Sequence, residues 1–395
     1  VAATDSPRRR TRIAPRWQGF IVLALSFALT LAGTTAAQDR FRLAVDTFFY
    51  GDDNGVAVVS PQTSVRYALD DEGGEVWARG VVDVVSAASV DVVAQATRGF
   101  SEVRTEAALG ASKAFGTHLP SLSYRISVEP DYVSQGVRAG WQSALGTPDT
   151  VLAAGYGATF DTVGRSGTPF AVFSESLLTH AADVSLTQVL GERWLARVAY
   201  ALTVQEGYLE KPYRYVPLFL PGALAGPQLD LSNFDARRLA GRPAENVPDE
   251  RVRHALALRL VGSLDPLDAA LHLDLQLYGD SWRVFATAVQ PALHVALGDT
   301  LRLVALARFY HQSDASFWRR AYVVSSEDAL PRWRSVDRDL SSYTTISAGA
   351  RLEWDVAESA MLYLDVRPAW TLYHDFLFLD RLSSFVAQGG FRWAP

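Results

Sequence analysis

Every second residue from Leu271 to Leu277 is leucine, and His272, Asp274, Gln276 and Tyr278 alternate with them. Successive side chains of an extended chain leave opposite faces, so this pattern predicts a β-strand with one apolar and one polar face. The alternation recurs. Leu122, Tyr124, Ile126 and Val128 oppose Ser123, Arg125, Ser127 and Glu129; Leu256, Leu258 and Leu260 oppose Arg253 and Arg259; Leu362, Leu364 and Val366 oppose Tyr363, Asp365 and Arg367. Helical periodicity is nearly absent. Breaking the segments at turn chemistry predicts about sixteen strands, at 41–50, 63–70, 75–85, 103–114, 119–131, 133–145, 149–161, 181–190, 193–206, 252–264, 267–279, 282–297, 300–312, 342–355, 359–373 and 383–393. Most approach the ~9–11 residues that a tilted strand needs to cross a bilayer.

The joints between these segments fall into two classes. Short turns are expected at 70–74, 116–119, 146–149, 191–193, 263–268, 298–300 and 357–359, and long loops at 51–62, 86–102, 162–180, 207–251 and 313–341, with tight joints near Pro130 and Asp280. Short turns on one rim and long loops on the other predict an all-β fold, a transmembrane antiparallel barrel with periplasmic turns and extracellular loops. A soluble sandwich of this size needs two domains, and no linker divides residues 40–395; a solenoid needs a fixed repeat, and none is visible. No later segment reaches the length of a spanning helix, so any membrane crossing requires a closed barrel.

The barrel reading assigns each face a solvent. Leucine toward lipid sends the charges inward, since each arginine facing lipid at the midplane costs ~2–4 kcal/mol. The expected lumen lining is Arg125, Glu129, Arg138, Arg193, Arg197, Arg253, Arg259, His272, Asp274, Gln276, Arg302, Arg308, Arg351, Glu353, Asp365 and Arg367. Arg42, Arg66, Arg79, Arg104, Arg392, Asp46, Asp83, Glu106, Asp183 and Asp268 join them. Such a lumen is either an aqueous pathway whose arginine excess favours anions or a wall stiffened by cross-strand ion pairs. The second reading is the better one for most individual residues.

Composition narrows the classes. The chain has 395 residues, 49% hydrophobic and 20% charged, with a net charge of −6 and no cysteine. That excludes disulfides, thiolate metal sites and cysteine nucleophiles, and the mild acidity argues against nucleic acid as a partner. Almost all the cations are arginine. At the start, the basic run 7–17, the apolar run 19–33 and the small residues Thr34–Ala37 predict a secretory signal peptide over 1–37, leaving 38–395 as a single barrel domain with a periplasmic N-terminus. The last strand closes on Phe385, Ala387, Phe391 and Trp393, resembling the sorting signal of outer-membrane barrels.

Several patches, in order, resemble the domain of unknown function 3570 family, bacterial proteins read as outer-membrane barrels. They are FFYGDDNGVAVVSP (48–61), VVDVVSAAS (81–89), SVEPDYVSQGV (127–137), RPAENVPDERVRHAL (242–256), LYGDSWRV (277–284), RFYHQSDASFW (308–318) and VDRDLSS (336–342). Val90 stands where the family pattern leads one to expect proline. The resemblance implies the architecture and no activity. It also implies periplasmic redox company, a flavin transferase and small lipoproteins.

Other constellations are weaker. Asp52, Asp53 and Asn54 offer oxygen ligands for calcium, though a solvated loop is the plainer account. The histidines are scattered; His272 and His294 fall on the polar side of neighbouring strands, within reach of Asp274. Nothing in the spacing singles out a catalytic set, and no cofactor is implied. The function expected is therefore a non-enzymatic channel or conduit for small solutes, anions favoured. The alternative is an interaction scaffold for a periplasmic or surface partner in a redox or export system. Outer-membrane lipid and the barrel-assembly machinery are the partners common to both.

Overall fold

The computed structural model describes residues 40–87, 100–225, 229, 233–325 and 329–395. The expected signal peptide lies outside them. The chain runs through β1 (Phe41–Asp52), β2 (Val56–Ala68), β3 (Glu75–Ala87), β4 (Phe100–Ser112), β5 (His118–Glu129), β6 (Tyr132–Leu145), β7 (Thr147–Val163), β8 (Glu175–Val189) and β9 (Trp194–Gly207). It continues through β10 (Leu218–Phe219), β11 (Glu250–Leu264), β12 (Ala269–Asp280), β13 (Phe285–Ala296), β14 (Leu301–Gln312), β15 (Tyr322–Val323), β16 (Tyr343–Ala357), β17 (Ala360–Tyr373) and β18 (Arg381–Trp393). All but β10 and β15 form one closed antiparallel barrel of sixteen strands. β1 closes it against β18, with Leu43 opposite Trp393 and Asp52 opposite Ser384. Closure leaves no sheet edge unpaired, the condition for a strand-built membrane protein.

The short turns stand where alternation breaks. Gly146 (φ 73°) and Gly191 (φ 79°) hold the left-handed backbone that reverses the chain without a side-chain clash. The long joints need correction in two places. The loop expected at 51–62 shrinks to a tight turn at 53–55, because β1 runs to Asp52 and β2 already starts at Val56, with Pro61 inside it. The β2–β3 ladder is interrupted at Ser60 and Pro61, so the missing proline N–H breaks nothing there. The 162–180 joint is shorter than expected because β8 begins at Glu175. Residues 88–99 of the expected loop at 86–102 lie outside the described residues.

The two faces of the strands differ as the pattern predicts. Leu109, Leu122, Leu256, Leu273, Leu277 and Leu364 are exposed on one face, while Asp46, Ser127, Ser134, Ser185 and Asp365 are buried on the other. The largest buried apolar clusters lie outside the barrel wall, in the connections following β9, β12, β14 and β17. The one α-helix among the described residues, α1 (Phe234–Arg237), belongs to this loop core, and no described helix is long and apolar enough to cross a membrane.

Candidate functional site

The polar face is a web of arginine–carboxylate pairs. Register places Arg259 opposite Asp274, and the guanidinium grips both carboxylate oxygens, Nε to Oδ1 at 2.6 Å and Nη2 to Oδ2 at 2.9 Å. Arg302 holds Asp355 through two nitrogens (2.7 and 3.0 Å) and Glu353 at 3.2 Å, and Glu353 also lies 2.8 Å from Arg351. Arg351 sits 4.1 Å from the Tyr363 ring centroid. Arg367 grips Asp365, its neighbour two residues away on the same face. Arg125 reaches Glu106 (3.2 Å) and the Ser134 hydroxyl. The fork of a guanidinium matches a carboxylate edge, which explains the preference for arginine over lysine here.

Some contacts cross an intervening strand. Arg138 on β6 pairs with Asp183 on β8, passing over β7 at Gly155, where a Cβ would strike the guanidinium. Tyr363 on β17 donates to Asp46 on β1 over Gly390 of β18, and Arg392 pairs with the same carboxylate.

The remaining expected residues have other surroundings. Arg197 donates to Ser185 Oγ (3.1 Å), and Arg308 lies 5.8 Å from the Tyr310 ring centroid. Arg253 stands opposite Asp280, but that carboxylate is gripped by Arg251. Glu129 is half-buried at the long-loop end of β5, opposite Tyr132. Gln276 lies between Ala257 and Ala288. His272 and His294 do meet, with ring centroids 4.0 Å apart, while Asp274 is committed to Arg259. Arg193 is a correction. β9 starts only at Trp194, so Arg193 belongs to the short turn, mostly exposed and paired with Asp265 at 3.0 Å. Alternation cannot locate a strand start when the turn itself ends in charged residues. Asp268 likewise sits in a turn, at φ 44°.

The long loops form a cap. Val247, Trp282, Val284, Ala315, Trp318, Leu340 and Phe376 cluster, and Tyr278 of β12 and Tyr373 of β17, both polar-face residues, pack against them. β10 and β15 pair in parallel, joining the 208–249 loop to the 313–342 loop. Beside them lies a charge cluster built around the buried Asp337 and Glu245. Lys211 Nζ reaches Asp337 (2.7 Å) and Asp339 (3.1 Å), and Arg214 reaches Asp337 at 3.2 Å. Glu245 accepts from the Lys211 N–H at 3.1 Å and from the Ser335 hydroxyl. Burial pushes the Asp337 carboxyl up, but Arg214 and Lys211 outweigh it and hold the group down at about 2. Burial, helped by the Asp337 charge, pushes Glu245 up.

The family model described as "Protein of unknown function (DUF3570)" matches residues 77–367, well over half of the chain. The chain belongs to this family. No curated protein matches it. Among solved structures, this DUF3570 chain is similar to a bacterial polysaccharide outer membrane secretin, with a TM-score of 0.50 and 9% identity over 90% of this chain and 98% of that one. It is also similar to the ferric enterobactin receptor of Pseudomonas aeruginosa (0.44, 9%, 85% and 54%) and to an outer membrane protein of Vibrio cholerae (0.42, 9%, 89% and 98%). The chain thus spans about half the length of the enterobactin receptor. At such identity the likeness shows the fold alone, an outer-membrane type of barrel.

Sequence reasoning missed part of the DUF3570 site. Arg251 lies one residue before the expected strand start, and carrying the alternation back from Arg253 finds it. The cap cluster of Lys211, Arg214, Glu245 and Asp337 had no such signal, because irregular loops have no period. Asp52 and Asp53 serve the turn between β1 and β2. Asp52 accepts from the N–H groups of Asn54 and Val56, and Asp53 from that of Ser383. Among the described residues no three His, Asp or Glu gather as a metal-holding group.

Proposed function

We propose that the chain is an outer-membrane conduit for small solutes, with the polar face lining the lumen and the leucine face in lipid. The observation that carries this is the pairing across an intervening strand, Arg138 to Asp183 and Tyr363 to Asp46. Side chains converge on the concave face of a closed sheet and diverge on the convex one, so such reach belongs inside. A barrel of sixteen strands is wide enough to leave an aqueous channel. The cap then lies over part of the mouth, because its core rests on Tyr278 and Tyr373. The paired arginines stiffen the wall, and those without a carboxylate give the lumen its preference for anions. The protein is inserted by the barrel-assembly machinery after export, with its short turns in the periplasm. Refolded protein in a planar bilayer is expected to conduct, with anion selectivity. Electrical silence, even after the 208–249 and 313–342 loops are trimmed, overturns the reading.

A second reading is favoured by the long-loop rim, where Val172 is 77% and Val323 51% exposed. Exposed apolar tips on loops suit a surface or lipoprotein partner. A stoichiometric partner in gently solubilised membranes, lost with Val172→Ser and Val323→Ser, supports that scaffold role; unchanged recovery with both variants counts against it.

A further inference from the structure

The wall around β1, β2 and β3 departs from the pairing seen elsewhere. Register sets Arg42 directly opposite Arg66, and places Arg79 opposite Ser64 on the next pair of strands. Like charges directly opposite each other on one face destabilise a sheet. Only Glu75 serves this group, and it lies 2.7 Å from Arg66. Arg42 and Arg79 have no carboxylate within 4.0 Å among the described residues, and both are exposed. The other nearby acid, Asp46, is taken by Arg392, Tyr363 and Gln62. The contrast with Arg197 and Arg259 is instructive. They also stand opposite each other, but Ser185 and Asp274 occupy their donors.

The same place is concave. A cavity of about 300 Å³ is lined by Asp46, Gln62, Ser64, Arg66, Trp77 and Arg79. Trp77 gives it an aromatic wall. Gly110 on β4 sets the position of that ring, since a Cβ there would run into the indole. The uncompensated Arg79 guanidinium and that of Arg66, which has Glu75 alone, beside an aromatic surface and the Ser64 hydroxyl as a further donor, match a planar carboxylate on an apolar body. The volume is at the small end of ligand pockets.

We propose that Arg66, Arg79 and Trp77, with Arg42 across the register from Arg66 and outside the cavity lining, form a binding site for a small aromatic carboxylate, a station on the wall of the lumen. This rests on the reading that the polar face lines the lumen. The anion would supply the charge that Glu75 alone cannot, relieving the Arg42–Arg66 opposition.

The test uses the full mature chain refolded in detergent, titrated with benzoate by calorimetry and tryptophan fluorescence, with inorganic phosphate as the comparison anion. Saturable benzoate binding is expected, weakened about tenfold or more in Arg79→Gln and further in Arg42→Gln/Arg79→Gln. Arg283→Gln, in the distant β12–β13 turn, should bind as the unaltered chain does. Trp77→Phe should bind benzoate while losing most of the fluorescence change, which keeps the test open if an arginine variant fails to fold. No benzoate binding, binding indifferent to Arg42 and Arg79, or a preference for phosphate overturns the site. Failure of the conduit is seen separately: a chain that conducts and does not bind benzoate refutes only the site, and one that binds with this dependence but stays silent in a bilayer refutes only the conduit.

Discussion

Leu273 and Gln276 lie three residues apart on β12 and leave opposite faces, so the same substitution tests the two faces against each other. Leu273 stands between Leu260 on β11 and Pro291 on β13, near the middle of the strand, and is 39% exposed. With lipid on that side, Leu273→Arg places a guanidinium in hydrocarbon at ~2–4 kcal/mol. At about 1.4 kcal/mol per tenfold, the folding equilibrium moves by roughly thirty- to a thousand-fold. Gln276→Arg instead enters a wall whose cross-strand neighbours are Ala257 and Ala288, with room for the longer side chain and water for its charge. Its expected cost is within ~0.5 kcal/mol, that of an ordinary surface change. Both variants are folded into liposomes, and the folded fraction is followed through a urea titration by the heat-dependent gel shift of a closed barrel. Equal losses, or a larger loss for Gln276→Arg, refute the assignment of faces.

Asp337→Asn should loosen the cap by about 3 kcal/mol, the lower end for breaking a buried pair because Lys211 is half-exposed; faster proteolysis within 208–249 and 313–342 with an intact barrel checks this, and unchanged cleavage counts against it. The cap should also respond to pH in two directions. Asp337, held below its ordinary 3.8 at about 2, contributes stability above pH ~4 that is lost as pH falls toward 2, whereas Glu245, raised above 4.5, favours the folded cap at low pH and loses that contribution as pH rises through its raised value. Loop protection in hydrogen exchange is therefore expected to peak at about pH 4–5, and a steady rise down to pH 2 contradicts the Asp337 assignment. Gly155→Val should separate Arg138 from Asp183 by filling the space the guanidinium crosses, at a cost of ~1–3 kcal/mol; a urea midpoint equal to that of the unaltered chain would show that the crossing is unimportant.

The barrel was legible because a strand with a different solvent on each face must alternate, and Leu271–Leu277 against His272–Tyr278 cannot be satisfied otherwise. The short turns were legible for a related reason, since glycines such as Gly146 and Gly191 mark where the chain can reverse. The loop expected at 51–62 was not legible as strand, because β2 tolerates Pro61 only through an interruption in its ladder with β3, a property of the partner strand. The residues of the polar face were half legible. Alternation finds the face of Arg259 or Arg302, but the choice of Asp274 or Asp355 as partner depends on register between strands. The Arg42–Arg66 opposition is likewise a property of the pair. The cap was beyond reach, because Lys211 and Asp337 meet only after the four barrel strands β11–β14 have been threaded between them.

That separation imposes an order of assembly. β10 is made long before β15, and Phe219 also packs with Leu377, which follows β17. The apolar segment 216–219 therefore has only the partners of its own loop, Phe234 and Leu239 among them, until nearly the whole chain has been delivered and the wall is almost closed. Contacts this distant are slow to form and exposed to mispairing while they wait. The cap thus completes only on a barrel that is nearly finished, and a stalled or truncated chain would display an uncovered apolar loop as the mark of its incompleteness.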